Sequence, residues 1–255
     1  MIRRTAVALI LALAISAVPL QAGGGRFWPD KERWRDALLT AARDPLTWVP
    51  AAGATVIGIG GWDSSISNWA IRETPVFGSS SNALNWSDNL RTASHLVLLG
   101  TMFTVHEPEK PWKKGARRFV VQHVAAITTT TLTSGLKTAA DRDRPDGSDR
   151  ESFPSGHSSR AFSYAASGRR NLRDSRLPRG LRTGIGIGLV TLAGGTAWAR
   201  VEGGKHYPTD VLVGAALGNF VSVVINEAFL GAEPDIQVGV RLDRGESQLM
   251  IMARW

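Results

Sequence analysis

The chain has 255 residues, enough for one well-buried domain, and its 43% hydrophobic and 20% charged residues exclude an intrinsically disordered protein. It contains no cysteine, which excludes disulfides, thiolate metal sites and cysteine nucleophiles. The net charge of +8 favours anionic partners such as acidic lipid head groups or phosphorylated small molecules. No recognisable nucleic-acid module is present, so we expect no nucleic-acid partner.

Residues 1–22 are typical of an export signal. Two arginines precede a short apolar run, residues 6–18, and small residues at 20–22 offer a cleavage site. The apolar run is shorter than the roughly 20 residues that span a bilayer. An uncleaved amphipathic anchor is the alternative. We therefore expect residues 23–255 to form a single exported domain, located in the periplasm.

Five uncharged stretches of 15 to 18 residues predict closely packed helices. They span residues 45–62, 92–106, 119–136, 183–199 and 211–226. Short membrane helices are one interpretation, and buried helices of a compact bundle are the other. The mean hydropathy of −0.07 and the arginine-rich region 158–182 favour a globular or peripherally attached helical domain. An integral membrane protein with an outward-facing site stays an alternative.

Tryptophan is concentrated early in the chain. Six of the nine tryptophans lie between residues 28 and 86. Their rings and N–H donors suit a membrane–water interface, and they equally suit ordinary core packing. The composition alone does not separate these two interpretations.

A first candidate segment pairs Lys137 with Arg144-Pro145. Lys137 ends an uncharged run, and Arg144 would share its face if the helix continued for two turns. Because Pro145 disfavours helical conformation at the preceding residue, we expect Arg144 at a helix end or in a loop. Two cations so placed can hold an anion. Taken alone, the pattern is more typical of a solvated basic surface.

A second segment, Pro154-Ser155-Gly156-His157, predicts the start of a helix. Ser155 suits the N-cap, and Gly156 leaves its backbone N–H open to close approach. Free N–H groups at a helix start bind phosphate well. His157 would lie in the first turn, where it could donate a proton to a leaving group. A capping turn with a surface histidine is the simpler alternative.

A third segment runs from Arg200 through His206 to Asp210. Pro208 suits the first turn of a helix, and residues four apart share a face there. A carboxylate that accepts from one ring N–H would leave the other ring nitrogen free to attack. Arg200 would offer a planar fork of donors to phosphate oxygens.

The three segments together meet one chemical need. Phosphoryl transfer requires cations and donors on the non-bridging oxygens, an in-line nucleophile and an acid for the leaving oxygen. Ten fixed residue types in this order would rarely arise by chance. The sequence therefore predicts a phosphate site that needs no metal or other cofactor.

The motifs K-x6-R-P, P-S-G-H and R-x5-H-x3-D resemble the signature of the type 2 phosphatidic acid phosphatase superfamily, which includes lipid phosphate phosphatases, class A acid phosphatases and vanadium-dependent haloperoxidases. They cover residues 137–210. The resemblance implies an all-α helical bundle with the site at one end of its helices. It also implies hydrolysis of phosphate monoesters or pyrophosphates through a phosphohistidine. The basic charge, the tryptophan-rich first third and the apolar runs favour lipid-linked substrates.

The resemblance assigns a role to each matching residue. It implies that His206 attacks phosphorus, that Asp210 orients His206, and that His157 protonates the departing alkoxide. The implied phosphate-binding residues are Lys137, Arg144, Ser155, Gly156 and Arg200. Vanadate, a phosphate mimic, is expected to inhibit.

Two features depart from the family pattern. Ala199 stands where the family usually has serine, and we expect altered packing there without loss of activity. The gap between Pro145 and Pro154 is short, which predicts a small cover over the site. A broad-specificity soluble acid phosphatase, a haloperoxidase and a non-enzymatic anion-binding scaffold are the alternative functions.

The C-terminal tail differs from the rest of the chain. Apolar and polar residues alternate from Val238 to Leu242, a turn-like Asp-Arg-Gly-Glu run follows, and residues 249–255 could return as a second strand. The pattern predicts a small β-hairpin within residues 236–255. No function is evident for it.

Overall fold

The computed structural model describes residues 28–105, 111–231, 235–243 and 246–254. The predicted export signal, residues 1–22, lies outside the described residues. Within them, eight helices carry the architecture, which confirms the predicted all-α bundle. The helices are α1 (Lys31–Arg43), α2 (Pro45–Ile59), α3 (Asp63–Glu73), α4 (Ser80–Met102), α5 (Pro111–Ala140), α6 (Gly156–Arg173), α7 (Arg179–Glu202) and α8 (Pro208–Leu230).

Two strands follow the helices. The strands β1 (Asp235–Asp243) and β2 (Glu246–Arg254) pair antiparallel, with Asp235 opposite Arg254 and Asp243 opposite Glu246. The pairing lies after the last helix of the bundle.

Helix α6 is the centre of the bundle and packs against α4, α5, α7 and α8. It runs parallel to α8, since Ser155 at its start lies beside Asp210 and Ser163 shares a hydrogen bond of 2.6 Å with Ser222. Small residues permit this close approach. A Cβ added at Gly218 would lie 2.0 Å from the Ser159 carbonyl oxygen. The starts of α6 and α8 therefore come together at one end of the bundle.

A buried polar network ties α5, α6 and α8 together near their other ends. Gln122 donates to Asn171 Oδ1 at 2.6 Å and to Asn226 Oδ1 at 3.3 Å. Asn171 donates in turn to Thr101 on α4 at 3.0 Å. Because each amide finds partners, burying these polar side chains costs little and fixes the register of the four helices.

Large apolar side chains cover much of the outer surface. Helices α7 and α8 are long and apolar enough to cross a membrane, and only 39% of the apolar window of α7 is buried within the bundle. The exposed side chains on the outer faces of α2, α4, α5 and α7 include Val56, Ile59, Leu96, Ile127, Leu132 and Ile187. A soluble bundle would normally cover such faces. The outer surface thus favours membrane association over a freely soluble domain.

Candidate active site

The three segments predicted from the sequence meet at one end of the bundle. Lys137 lies in the last turn of α5, His157 in the first turn of α6 and Arg200 in the last turn of α7. His206 and Asp210 lie at the start of α8, where Tyr207 is the N-cap. The end of the bundle at which α6 and α8 begin is therefore the candidate active site.

The His206 imidazole is almost fully buried and is held by the main chain. Its Nδ1 donates to the carbonyl oxygen of Ser152 at 2.6 Å. Because a carbonyl only accepts, the ring proton lies on Nδ1 and the lone pair lies on Nε2. Burial, followed by the positive charges of Arg200 and Lys137, lowers the pKa of His206 well below its usual value. His206 is thus a neutral imidazole with one free nitrogen.

The predicted direct contact between Asp210 and His206 is wrong. Asp210 Oδ2 lies 4.0 Å from His206 Nδ1, beyond hydrogen-bond distance. The carboxylate accepts instead from the Ser152 hydroxyl at 2.5 Å and from the Tyr207 N–H at 2.8 Å. The nearer donors satisfy the Asp210 carboxylate, and the main-chain carbonyl of Ser152 accepts the hydrogen bond from the imidazole N–H. Asp210 therefore positions the imidazole through Ser152, which holds the accepting carbonyl.

Arg142 is a member of the site that the sequence analysis missed. Its guanidinium donates to Asp210 Oδ1 at 2.6 Å and to Asp63 Oδ2 at 2.8 Å, and it lies over the Tyr207 ring at 4.2 Å. Asp63, at the start of α3, also accepts from the Thr209 N–H at 2.9 Å. In the sequence Arg142 stands between two aspartates, a pattern typical of a solvated cluster of charges. It belongs to none of the three motifs, so the sequence did not indicate a role for it.

The predicted phosphate-binding cations surround His206. Lys137, Arg144 and Arg200 all act electrostatically on its imidazole. Lys137 donates to the Glu151 carbonyl oxygen, and burial followed by the charge of Arg144 lowers its pKa. The mutual repulsion of these positive charges is unfavourable until an anion binds between them.

Arg200 is the most deeply buried of the three cations. It is 8% exposed, and among the described residues its guanidinium donates to the Ser87 hydroxyl at 3.4 Å. Arg144, by contrast, lies 2.6 Å from Asp149 Oδ1. Among the described residues, no carboxylate lies within 4 Å of the Arg200 guanidinium. A buried guanidinium without a carboxylate is suited to hold a substrate anion.

His157 faces a carboxylate that the sequence did not reveal. Its Nε2 lies 2.9 Å from Oδ1 of Asp88 on α4. Burial, followed by the charge of Arg200, lowers the pKa of His157 to about 4, although the hydrogen bond with Asp88 acts in the opposite direction. Asp88 is separated from His157 by 69 residues, so only the packing of α4 on α6 joins them.

Ser155 and Gly156 form the start of α6 as predicted. The Ser155 side chain accepts from the Ser158 N–H at 3.4 Å, and its backbone N–H donates to the Asp210 carbonyl at 3.0 Å. A Cβ added at Gly156 would lie 4.0 Å from Lys137 Cε. The first turn of α6 is therefore fixed against the start of α8 and lies beside one of the cations.

Ala199 is fully buried in the last turn of α7. The position next to Arg200 thus belongs to the packed interior, and a side chain without a hydroxyl fits there. Whether the substitution of the usual serine affects activity stays a prediction.

Comparison with known proteins places the same part of the chain in a family context. Residues 119–231 match the family model described as the PAP2 superfamily. The fold resembles the crystal structure of a transmembrane PAP2 type phosphatidylglycerolphosphate phosphatase from Bacillus subtilis, with a TM-score of 0.51 and 22% sequence identity. The match covers 76% of this chain and 94% of the other. No curated protein matches the sequence.

Proposed function

Residues 119–231 match the PAP2 superfamily model, and we propose that the chain is a member of that superfamily and a phosphatase that hydrolyses lipid-linked phosphate monoesters or pyrophosphates. The observation that carries the proposal is a neutral, buried His206 surrounded by Lys137, Arg144 and Arg200. Fixed cations around an uncharged nucleophile suit a phosphoryl group, whose negative charge the cations stabilise throughout the reaction.

The reaction begins with attack on phosphorus by the His206 Nε2 lone pair. The N–P bond forms as the P–O bond to the leaving alkoxide breaks, and the His157 side chain delivers a proton to that oxygen. Water then attacks phosphorus, with the unprotonated His157 accepting its proton. The N–P bond breaks and the phosphate leaves, so His206 returns to its neutral form.

His157 must carry a proton when the leaving group departs. Its pKa of about 4 means that the imidazole is neutral in the free enzyme near pH 7. A bound phosphate would raise that pKa, because its negative charge offsets the charge of Arg200. Substrate binding therefore charges the acid, and Asp88 stabilises the protonated form.

The lipid preference rests on the outer surface and on the comparison. Apolar side chains cover the faces of α2, α4, α5 and α7, which suits a protein that meets its substrate at a membrane. The structural relative from Bacillus subtilis is itself a phosphatase of a lipid phosphate. We propose that this protein is exported, is membrane-associated and presents its site outside the cytoplasm.

The proposed mechanism is tested with His206→Ala. We expect phosphatase turnover to fall by more than about a thousandfold, because the variant has no nucleophile. The cluster of Lys137, Arg144 and Arg200 near His206 is called the catalytic cage below. His123→Ala changes a histidine on α5 outside this cage, so it is the matched control and should keep activity. Wild-type protein quenched during turnover of a labelled substrate should carry an acid-labile phosphoenzyme that His206→Ala lacks.

Further measurements separate the proposal from its alternatives. Vanadate should inhibit, and a chelator should not. Strong inhibition by EDTA that a divalent ion reverses would contradict the mechanism. Turnover of p-nitrophenyl phosphate with no turnover of lipid phosphates would instead support a soluble acid phosphatase of broad specificity.

A further inference from the structure

A second basic cleft lies at the end of the bundle opposite the candidate active site. It has a volume of about 610 Å³, within the range of ligand-binding pockets. Its walls come from the last turns of α6, the first turns of α7 and the start of α2. The lining residues include four arginines, Arg169, Arg173, Arg179 and Arg182, and the apolar side chains Leu46, Leu172, Ile187 and Val190.

The arginines that line this cleft outnumber the carboxylates that pair with them. Arg169 lies 3.6 Å from Asp44, and Arg173 pairs with Glu227, which Arg170 also binds. In the part of the chain that the structure describes, no carboxylate lies within 4 Å of the side chains of Arg179 or Arg182. The cleft therefore carries surplus positive charge beside an apolar wall.

The cleft lies about one membrane thickness from the catalytic cage. Arg182 and Arg200 are 18 residues apart on α7, which corresponds to about 27 Å along a helix. The hydrocarbon core of a bilayer is about 30 Å thick. Between these two arginines α7 exposes apolar surface, with Ile187 62% accessible. Charged groups at both ends of an apolar helix of this length match the two surfaces of a bilayer.

We propose that this cleft binds the head group of an anionic phospholipid in the leaflet opposite the catalytic cage. Guanidinium groups pair with phosphate oxygens, and basic pockets between helices at a membrane surface select anionic head groups. The acyl chains lie along Ile187 and Val190 on the outer face of α7. The inference rests on the membrane association proposed above and is independent of the reaction at His206.

The test measures lipid binding by the full-length protein in detergent. The Tm of unfolding is followed during titration with phosphatidylglycerol, whose phosphodiester is not a substrate of the proposed reaction. Phosphatidylcholine tests the need for net negative charge, and glycerophosphoglycerol, the phosphodiester head group without acyl chains, tests the need for those chains. We expect phosphatidylglycerol to raise the Tm most.

The paired variant Arg179→Gln/Arg182→Gln removes the two arginines without carboxylate partners. We expect its apparent affinity for phosphatidylglycerol to fall at least about tenfold, because each arginine near an anionic lipid surface contributes independently. The matched control, Arg35→Gln/Arg72→Gln, removes the same charge from exposed positions outside the cleft and should change the affinity less than about twofold.

Unchanged affinity in the paired variant overturns the proposal, as does an equal Tm shift with glycerophosphoglycerol or phosphatidylcholine. Should the paired variant unfold early without lipid, Arg179→Gln alone carries the test, with an expected loss of about threefold or more. Hydrolysis by the paired variant in detergent should match the wild type. Absence of hydrolysis in the wild type would overturn the proposed function and leave the lipid test intact.

Discussion

The His206 imidazole, the nucleophile of the proposed mechanism, is held neutral and oriented by the groups around it. The Ser152 carbonyl fixes the tautomer, and burial together with three nearby cations disfavours protonation. No proton needs to leave the imidazole before attack. In the proposed mechanism, the cations that lower the pKa of His206 would also bind the anionic substrate, so binding and nucleophile activation would share one set of charges.

Arg142 does not contact His206 directly but pairs with Asp210, whose side chain is fully buried, and so neutralises its charge. We expect Arg142→Gln to lower the free energy of unfolding by about 3 kcal/mol, since a buried carboxylate loses its charged partner. Turnover should fall as well, because Asp210 holds the Ser152 hydroxyl. Chemical denaturation and steady-state kinetics measure the two effects.

Arg150 offers a matched control for Arg142 on the same loop. Its side chain pairs with Asp141 and is 61% exposed, so Arg150→Gln should change stability by less than about 0.5 kcal/mol. Equal effects of the two substitutions, or an Arg142→Gln protein with full activity, would show that Arg142 has no positioning role.

At the scale of elements, the parallel pair α6 and α8 assembles the site. The start of α6 carries His157, and the start of α8 follows directly on His206. The two helices approach closely because α8 has glycine at 214 and 218. A Cβ added at Gly214 would lie 2.6 Å from the Ser155 carbonyl oxygen. The contact between the starts of α6 and α8 therefore requires a residue without a side chain at position 214.

We expect Gly218→Ala to destabilise the protein by about 1–3 kcal/mol, because the added methyl group would collide with the Ser159 main chain and push α6 from α8. Activity should fall with the Tm, since the shift separates His157 from His206. Gly188→Ala on α7 is the matched control, because nothing lies within 4 Å of its added Cβ. Better helix propensity there should stabilise by up to about 1 kcal/mol. A Gly218→Ala protein with an unchanged Tm would contradict the close packing.

The whole molecule combines an apolar outer surface with charged ends. Helices α2, α4, α5 and α7 all expose large apolar side chains between those ends. The mean hydropathy of −0.07 favours a globular or peripherally attached domain, but it is an average over the whole chain. That average includes charged segments such as α1, so it understates the apolar character of the faces that α2, α4, α5 and α7 expose.

We therefore expect the protein to stay in the membrane pellet after washing with high salt and then with alkaline carbonate. Salt screens electrostatic attachment, whereas apolar burial in lipid persists. Immunodetection in pellet and supernatant measures the outcome, and detergent should then release the protein. Release by salt alone would support a peripheral domain held by its basic surface.

The sequence by itself determined the fold class, and its three motifs supplied the candidate site residues that the structure brings together. Uncharged stretches of helical length indicated the packed helices, and motif spacing placed His157 at a helix start and Arg200 before His206. Local rules suffice for these inferences, because helix caps and turns depend on residues a few positions apart.

Only the tertiary structure decided which groups serve as partners. Asp88 for His157, Ser152 for His206 and Asp63 for Arg142 are separated from those residues by 69, 54 and 79 positions. Four-residue spacing suggested that Asp210 would hold His206, but nearer donors satisfy the carboxylate. Hydrogen bonds depend on tenths of an ångström, and those distances are set by how helices pack, which no spacing along one segment specifies.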